Sequence, residues 1–193
     1  KNGAKTYIFA HSMGSYMAQC YLQMFPDHVE KIVLCGSGCY NPAVGLGLML
    51  AKAIVSKKNR DKKANFLNKL MFGNFNKRIK NPRTPFDWLS YNEENVDKYI
   101  ADPLCGFGPT NGFCLEFLKG MSTLYKKENL NKVSKNQKIF IITGDEDPVT
   151  AYSKYTNDLV KMYTKLGVNN VSSKIYEKSR HEILNDNCNK EVF

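Results

Sequence analysis

The feature that most constrains the fold is the alternation within residues 6–38. Thr6 to Ala10 is a short apolar run of strand-forming residues, and Ala10-His11-Ser12-Met13-Gly14 makes a tight turn of mostly small residues. From Gly14 to Phe25, the residues Met17, Ala18, Tyr21, Leu22 and Phe25 recur at helical spacing. Pro26-Asp27 closes that helix, and Val29 to Cys35 forms a second apolar strand that ends in Gly36-Ser37-Gly38. Strand, turn, helix and strand in that order predict a βαβ unit with parallel strands and a right-handed crossover. The expected class is therefore α/β, a mostly parallel sheet with helices on both faces.

The rhythm then changes. From Cys39 to about Gly112 the chain is helical in pattern, basic and Asn-rich, broken by Pro42, Pro82, Pro85, Pro103 and Pro109, with no strand of comparable quality. Alternation resumes with a helix from Phe113 to Lys127, a strand from Lys138 to Thr143 and a helix from Ala151 to Leu166. A strand from Ser172 to Tyr176 and a helix beginning near His181 complete the expected pattern. The division that follows is a core of residues 1–38 and 113–193 interrupted by a helical insertion at 39–112. A length of 193 residues suits one domain carrying such an insertion.

The net charge of +10 is concentrated rather than spread. Between Ala51 and Lys80 there are ten Lys or Arg residues and one acid, Asp61, with Ile54, Val55, Phe66, Leu67, Leu70, Met71 and Phe72 interleaved. This stripe reads as a solvated helical face or as an amphipathic surface for anionic lipid or an acidic substrate. No nucleic-acid motif accompanies it, so no nucleic-acid partner is expected. The six cysteines show no C-x-x-C spacing and read as reduced, structural residues; neither Cys nor His sits at metal-ligand spacing, so no metal or cofactor is expected.

The chemistry gathers at the ends of the expected strands. Ala10-His11-Ser12-Met13-Gly14 nearly matches G-x-S-x-G, the pattern of a nucleophilic serine on a sharp strand-to-helix turn, where small residues on either side tolerate close backbone approach. A serine needs a base to act at neutral pH, and the base needs a carboxylate to fix its tautomer. The strand at 138–143 runs into Gly144-Asp145-Glu146-Asp147-Pro148-Val149, at the end of a parallel strand where open α/β sheets place their ligands. Of its three acids Asp147 is favoured, with Asp145 and Glu146 shaping the loop. The last strand leads through Glu177-Lys178-Ser179-Arg180 to His181, the best-placed of three histidines; His11 and His28 read as structural or surface residues. The chain order Ser, Asp, His, each after a strand, is that of α/β-hydrolases.

These three segments, with Ser179-Arg180-His181-Glu182-Ile183-Leu184 as the last, resemble the α/β-hydrolase group that contains monoacylglycerol lipases, bacterial lysophospholipases and S33-type serine aminopeptidases. Thr84-Pro85-Phe86-Asp87-Trp88-Leu89-Ser90 and Asp102-Pro103-Leu104-Cys105-Gly106-Phe107 resemble the cap of the lysophospholipase-like members, so the resemblance spans nearly the whole chain. It implies an α/β-hydrolase fold with an inserted helical cap, Ser12 as nucleophile, His181 as base, Asp147 as its orienting partner and the Met13 N–H as one oxyanion donor. His11, Trp88, Phe107 and Val149 are candidates for substrate contacts. Leu46, Leu48, Met49, Leu50, Phe107, Phe113 and Leu118 are candidates for either an acyl pocket or plain core.

The implied function is hydrolysis of a carboxylic ester, with a monoacylglycerol or lysophospholipid as the leading candidates. The alternatives are an S33-type aminopeptidase, with Glu93, Glu94 and Asp97 available for a substrate amine, and a catalytically incomplete fragment or binding module. A complete member of the group carries several strands before its nucleophile, whereas Ser12 stands near the start, so amino-terminal strands and one oxyanion donor are expected to be absent from this chain. The first strand then becomes an apolar edge, expected to meet a missing amino-terminal half or a second copy. The first apolar segment is too short for an export signal, which points to a soluble bacterial cytoplasmic protein with peripheral membrane contact through the basic insertion.

Overall fold

The structure, a computed structural model, describes residues 5–193. The first four residues of the expected core segment 1–38 lie outside the described residues. The chain forms β1 (Tyr7–His11), α1 (Met13–Met24), β2 (Lys31–Cys35), α2 (Ala43–Ile54), α3 (Asn65–Phe72), a 3-10 turn at Asp87–Leu89, α4 (Glu93–Ala101) and α5 (Asn111–Leu124). It continues with α6 (Lys127–Leu130), β3 (Lys138–Gly144), α7 (Lys154–Lys165), β4 (Asn170–Tyr176) and α8 (Asn189–Val192). The sheet has the order β1-β2-β3-β4 and is parallel throughout, with Ala10 opposite Leu34 and Leu34 opposite Ile141.

The two faces of the sheet follow the period-two alternation of the strands. Ala10, Ile32, Leu34, Ile139 and Ile141 pack against Ala18 and Leu22 of α1 and Leu159 and Tyr163 of α7. Cys35 and Ile142, with Val33 and Phe140 beside them, meet Ile183, Cys188 and Val192 on the opposite face. Both faces being covered explains why these strands read as nearly continuous apolar runs. α2 and α3 lie on α5 instead, through Ala51, Ala64, Leu67, Cys114, Leu115 and Leu118. All six cysteines are free thiols, and Cys35, Cys39 and Cys114 are buried. No helix among the described residues is long and apolar enough to cross a membrane.

Two expected elements differ. No helix begins near His181: residues 181–188 are turn and irregular chain, and only Asn189–Val192 is helical. The backbone there is held by Asp186, which accepts hydrogen bonds from the N–H groups of Tyr91 (2.9 Å), Arg180 (2.8 Å) and Asn187 (2.8 Å), partners that a helix would not present together. The helix expected from Ala151 starts at Lys154, because Ala151, Tyr152 and Ser153 all take positive φ, of 51°, 57° and 64°. Left-handed non-glycine residues cannot continue into a right-handed helix.

Candidate active site

Ser12 occupies the single residue between β1 and α1 and takes φ 54° and ψ −123°. Such a conformation costs a non-glycine residue on the order of 1–3 kcal/mol and persists only where its surroundings over-determine it. Here they do so through three bonds. The Ser12 N–H donates to Cys35 O at the end of β2 (2.9 Å), and Ser12 O accepts from Ser15 N–H (2.9 Å) and Ser15 Oγ (2.5 Å). Ala10 is buried as a small residue should be. Gly14 departs from the expectation, since a Cβ there would meet nothing within 4 Å. Among the described residues β1 is the edge of the sheet, and no strand beyond it crowds the turn.

The three acids after β3 separate by partner. Asp145 accepts from Ser179 N–H (3.2 Å) and so shapes the next loop, while Glu146 accepts from the Tyr91 hydroxyl (2.7 Å). Asp147 is fully buried and its Oδ2 accepts from His181 Nδ1 at 2.9 Å, with His181 itself 2% exposed. Val149 N–H (2.8 Å, to Oδ1) and Thr143 Oγ1 (3.2 Å, to Oδ2) hold the carboxylate in place. Because a carboxylate can only accept, Nδ1 is the donor, and in the neutral imidazole the lone pair is then on Nε2.

Serine and pair are connected through the backbone. Gly36 follows the residue that anchors Ser12, and a Cβ on it would lie 2.9 Å from His181 Cε1, 3.0 Å from Nδ1 and 3.3 Å from Asp147 Oδ2. Its φ of +57° and this contact both require glycine. Gly144 has the same function at β3: a Cβ would stand 2.1 Å from Ser179 O and 2.3 Å from Arg180 O, so the loop carrying His181 crosses directly over the strand end. Among the described residues no side-chain hydrogen bond joins Ser12 to His181, a link that commonly tightens only with substrate bound.

His11 and Trp88 flank His181, their ring centroids 4.6 Å and 5.3 Å from that of its imidazole. His11 Nε2 lies 3.1 Å from His181 O, and since a carbonyl only accepts, Nε2 is the protonated nitrogen of His11. Burial, then the neighbouring His181, pushes the His11 pKa below its ordinary value. Val149 contributes its backbone N–H to the acid. Phe107 is 67% exposed and makes no hydrogen bond or ring contact with these groups among the described residues. Of the acyl-pocket candidates, Leu118 and Leu48 belong to the α2–α5 packing and Leu46 and Met49 face outward, whereas Phe113 lines a cavity with Met13.

Nothing in the sequence signals the scaffold around His181. Arg180 Nη1 donates to Asp87 O (2.7 Å) and Ser90 O (3.0 Å), and its guanidinium stacks 3.8 Å from the Tyr91 ring centroid. Glu182 N–H donates to Leu89 O (2.7 Å). These bonds fix Trp88 beside His181. Among the described residues no group of three or more His, Cys, Asp or Glu is arranged to hold a metal ion.

The sequence matches the family described as serine aminopeptidase, S33, over residues 1–188. A search of curated proteins finds no match. A thermostable carboxyl esterase from Bacillus coagulans, solved in complex with glycerol, is 27% identical with a TM-score of 0.90, and the match covers 98% of this chain and 62% of that one. A monoacylglycerol lipase from Paleococcus ferrophilus is 19% identical (TM-score 0.68; 99% of this chain, 65% of that one). A soluble variant of monoglyceride lipase from Saccharomyces cerevisiae, with a substrate analogue, is 15% identical (TM-score 0.64; 98% and 59%). The chain thus spans about three fifths of the length of these solved structures. With the S33 match running through Ser12, Asp147 and His181 on a parallel sheet, the chain belongs to the S33 serine aminopeptidase family of the α/β-hydrolase superfamily.

Proposed function

We propose that this chain carries the catalytic triad of a serine hydrolase that cleaves carboxylic esters of the monoacylglycerol or lysophospholipid kind. The observation that supports it most is the buried His181–Asp147 pair at 2.9 Å, set over Gly36, one residue beyond the anchor of the strained Ser12. Ser12 Oγ attacks the ester carbonyl carbon while its proton passes to His181 Nε2. Asp147 keeps Nδ1–H in place and stabilises the imidazolium, and the Met13 N–H, first in α1, donates to the oxyanion. Collapse breaks the carbonyl–alkoxy bond, and the alcohol leaves with the proton from His181. Water, deprotonated by Nε2, then attacks the acyl-enzyme; the acid departs and Ser12 recovers its proton.

The aminopeptidase reading needs carboxylates free to meet a substrate amine. Asp97 is paired with Arg83 at 2.7 Å, Glu93 with Arg83 at 3.7 Å and Glu94 with Lys98 at 2.7 Å, so these acids already have cationic partners and the ester reading is favoured. We also assign residues 39–112 to the cap. The exposed Phe66 and Leu70 of α3, among the exposed Lys62, Lys63 and Lys69, support peripheral contact with anionic lipid. β1, an edge strand with Tyr7 57% and Phe9 48% exposed, is assigned as the seam for an amino-terminal portion of the fold or a second copy. The activity test compares p-nitrophenyl esters with a proline p-nitroanilide. Ester cleavage abolished by Ser12→Ala is expected; anilide cleavage without ester cleavage would overturn the reading.

A further inference from the structure

The segment that carries His181 is held by the insertion as much as by the sheet. On the sheet side, Glu146 N–H donates to Ser179 O (3.0 Å) and Ser179 N–H to Asp145 Oδ1 (3.2 Å), both ahead of His181. On the insertion side the partners lie within residues 87–91. Arg180 Nη1 donates to Asp87 O (2.7 Å) and Ser90 O (3.0 Å), and Glu182 N–H donates to Leu89 O (2.7 Å). The residues on either side of His181 are therefore tied to the same turn. Asp186 closes this clasp, its Oδ1 accepting from Tyr91 N–H (2.9 Å) and its Oδ2 from Arg180 N–H (2.8 Å). Trp88 stands between the two carbonyls that Arg180 holds, with its ring centroid 5.3 Å from that of His181.

Stability alone does not account for an arginine here. Arg60 and Arg83 each meet a carboxylate at 2.7 Å and are well exposed. Arg180 is half-buried, its guanidinium pairs with no carboxylate among the described residues, and its Nε is buried without a partner. A cation drawn out of water with one N–H unbonded costs stability, and an apolar side chain would fill the same space without that cost. What arginine supplies is geometry. Its guanidinium lies 3.8 Å from the Tyr91 ring centroid and is held at one nitrogen by two carbonyls, so the planar fork cannot turn without losing one of these contacts. Tyr91 is itself fastened to the acid loop through its hydroxyl, which donates to Glu146 (2.7 Å).

We propose that Arg180 is a positioning residue: it clasps the His181 segment to residues 87–91, so that His181 is aligned only while the insertion is docked on the core. The proposal rests on the serine-hydrolase reading above, and its test separates the two. In the full chain, Arg180→Ala opens the clasp, and Arg83→Gln, which loses only exposed ion pairs of the same insertion, is the control. Misplacing a catalytic group by about 1 Å costs about 100-fold in rate. For p-nitrophenyl acetate, kcat of the folded fraction is therefore expected to fall by about 100-fold in Arg180→Ala, with KM little changed, and to stay at the wild-type value in Arg83→Gln. Guanidinium chloride, well below the concentration that unfolds the chain, is expected to restore kcat in Arg180→Ala by filling the vacated place. A merely stabilising arginine would lower the urea midpoint and leave kcat of the folded fraction unchanged, which overturns the proposal. If Arg180→Ala does not fold, Arg180→Lys, which keeps the charge and loses the planar fork, replaces it under the same reading. If the wild type cleaves no ester, the hydrolase reading fails and proton NMR decides the clasp. The downfield resonance of the Nδ1 proton held by Asp147, identified by its absence from His181→Gln, is expected in the wild type and in Arg83→Gln and to be broadened or lost in Arg180→Ala. An unchanged resonance in Arg180→Ala overturns the proposal.

Discussion

Replacing Gly36 with alanine tests the geometry of the site from beneath. The new methyl group would press on His181 Cε1 at 2.9 Å and Nδ1 at 3.0 Å, and approach Asp147 Oδ2 at 3.3 Å, at a residue whose φ is +57°. A left-handed non-glycine residue costs about 1–2 kcal/mol. Forcing a methyl into a packed site costs about 1–3 kcal/mol more. The expected loss is therefore about 2–5 kcal/mol, which for a chain of this size lowers the thermal midpoint by about 5–15 °C. The imidazole must also shift by several tenths of an ångström, and a misplacement of about 1 Å in a catalytic group costs about 100-fold in rate. Urea unfolding measures the first effect and hydrolysis of p-nitrophenyl acetate by the folded fraction the second. A variant with wild-type stability and wild-type rate would refute the placement of His181 and Asp147 over Gly36.

Other perturbations address the surrounding groups. Asp147→Asn preserves the shape of the pair but no longer enforces Nδ1–H, so kcat should fall by about four orders of magnitude, measured on the same ester. The depressed His11 pKa means that the unfolded chain binds a proton there more readily than the folded one, so this contribution to stability is present above pH 6.5 and is lost as pH falls through the lowered value. His11→Gln, which keeps an Nε2 donor for His181 O, should flatten the decline in thermal midpoint between neutral and mildly acidic pH; an unchanged decline would show that another group causes it. Asp186→Ala removes the acceptor for three backbone N–H groups and should cost about 3 kcal/mol in chemical denaturation.

Much of this arrangement was legible in the sequence because it rests on local chemistry. Among the described residues, the apolar runs marked all four strands to within two residues, and the small-residue pattern around Ser12 marked a sharp turn between the first strand and helix. Asp147 was distinguishable from its neighbours only by position, and the structure separates them by partner: Ser179 for Asp145, Tyr91 for Glu146, His181 for Asp147. What the sequence concealed depends on residues far apart in the chain. Asp186 reads as a surface acid until Tyr91, 95 residues away, donates to it. The left-handed run at residues 151–153 carries no glycine to mark it; it is held by Tyr152 N–H to Asp147 O (2.9 Å) and by the Arg78 guanidinium 3.5 Å from the Tyr152 ring centroid. Gly36 and Gly144 look like ordinary turn residues, although it is the space above each that admits His181 and the loop that carries it.

The central claim is that Ser12 is a nucleophile activated by His181 and Asp147. The most direct measurement is the intact mass of the protein after treatment with a fluorophosphonate, followed by peptide mapping, with Ser12→Ala and Asp147→Asn alongside. The account predicts one adduct, located on Ser12, absent from Ser12→Ala and formed much more slowly in Asp147→Asn. No adduct, or an adduct on another residue that persists in Ser12→Ala, would contradict it.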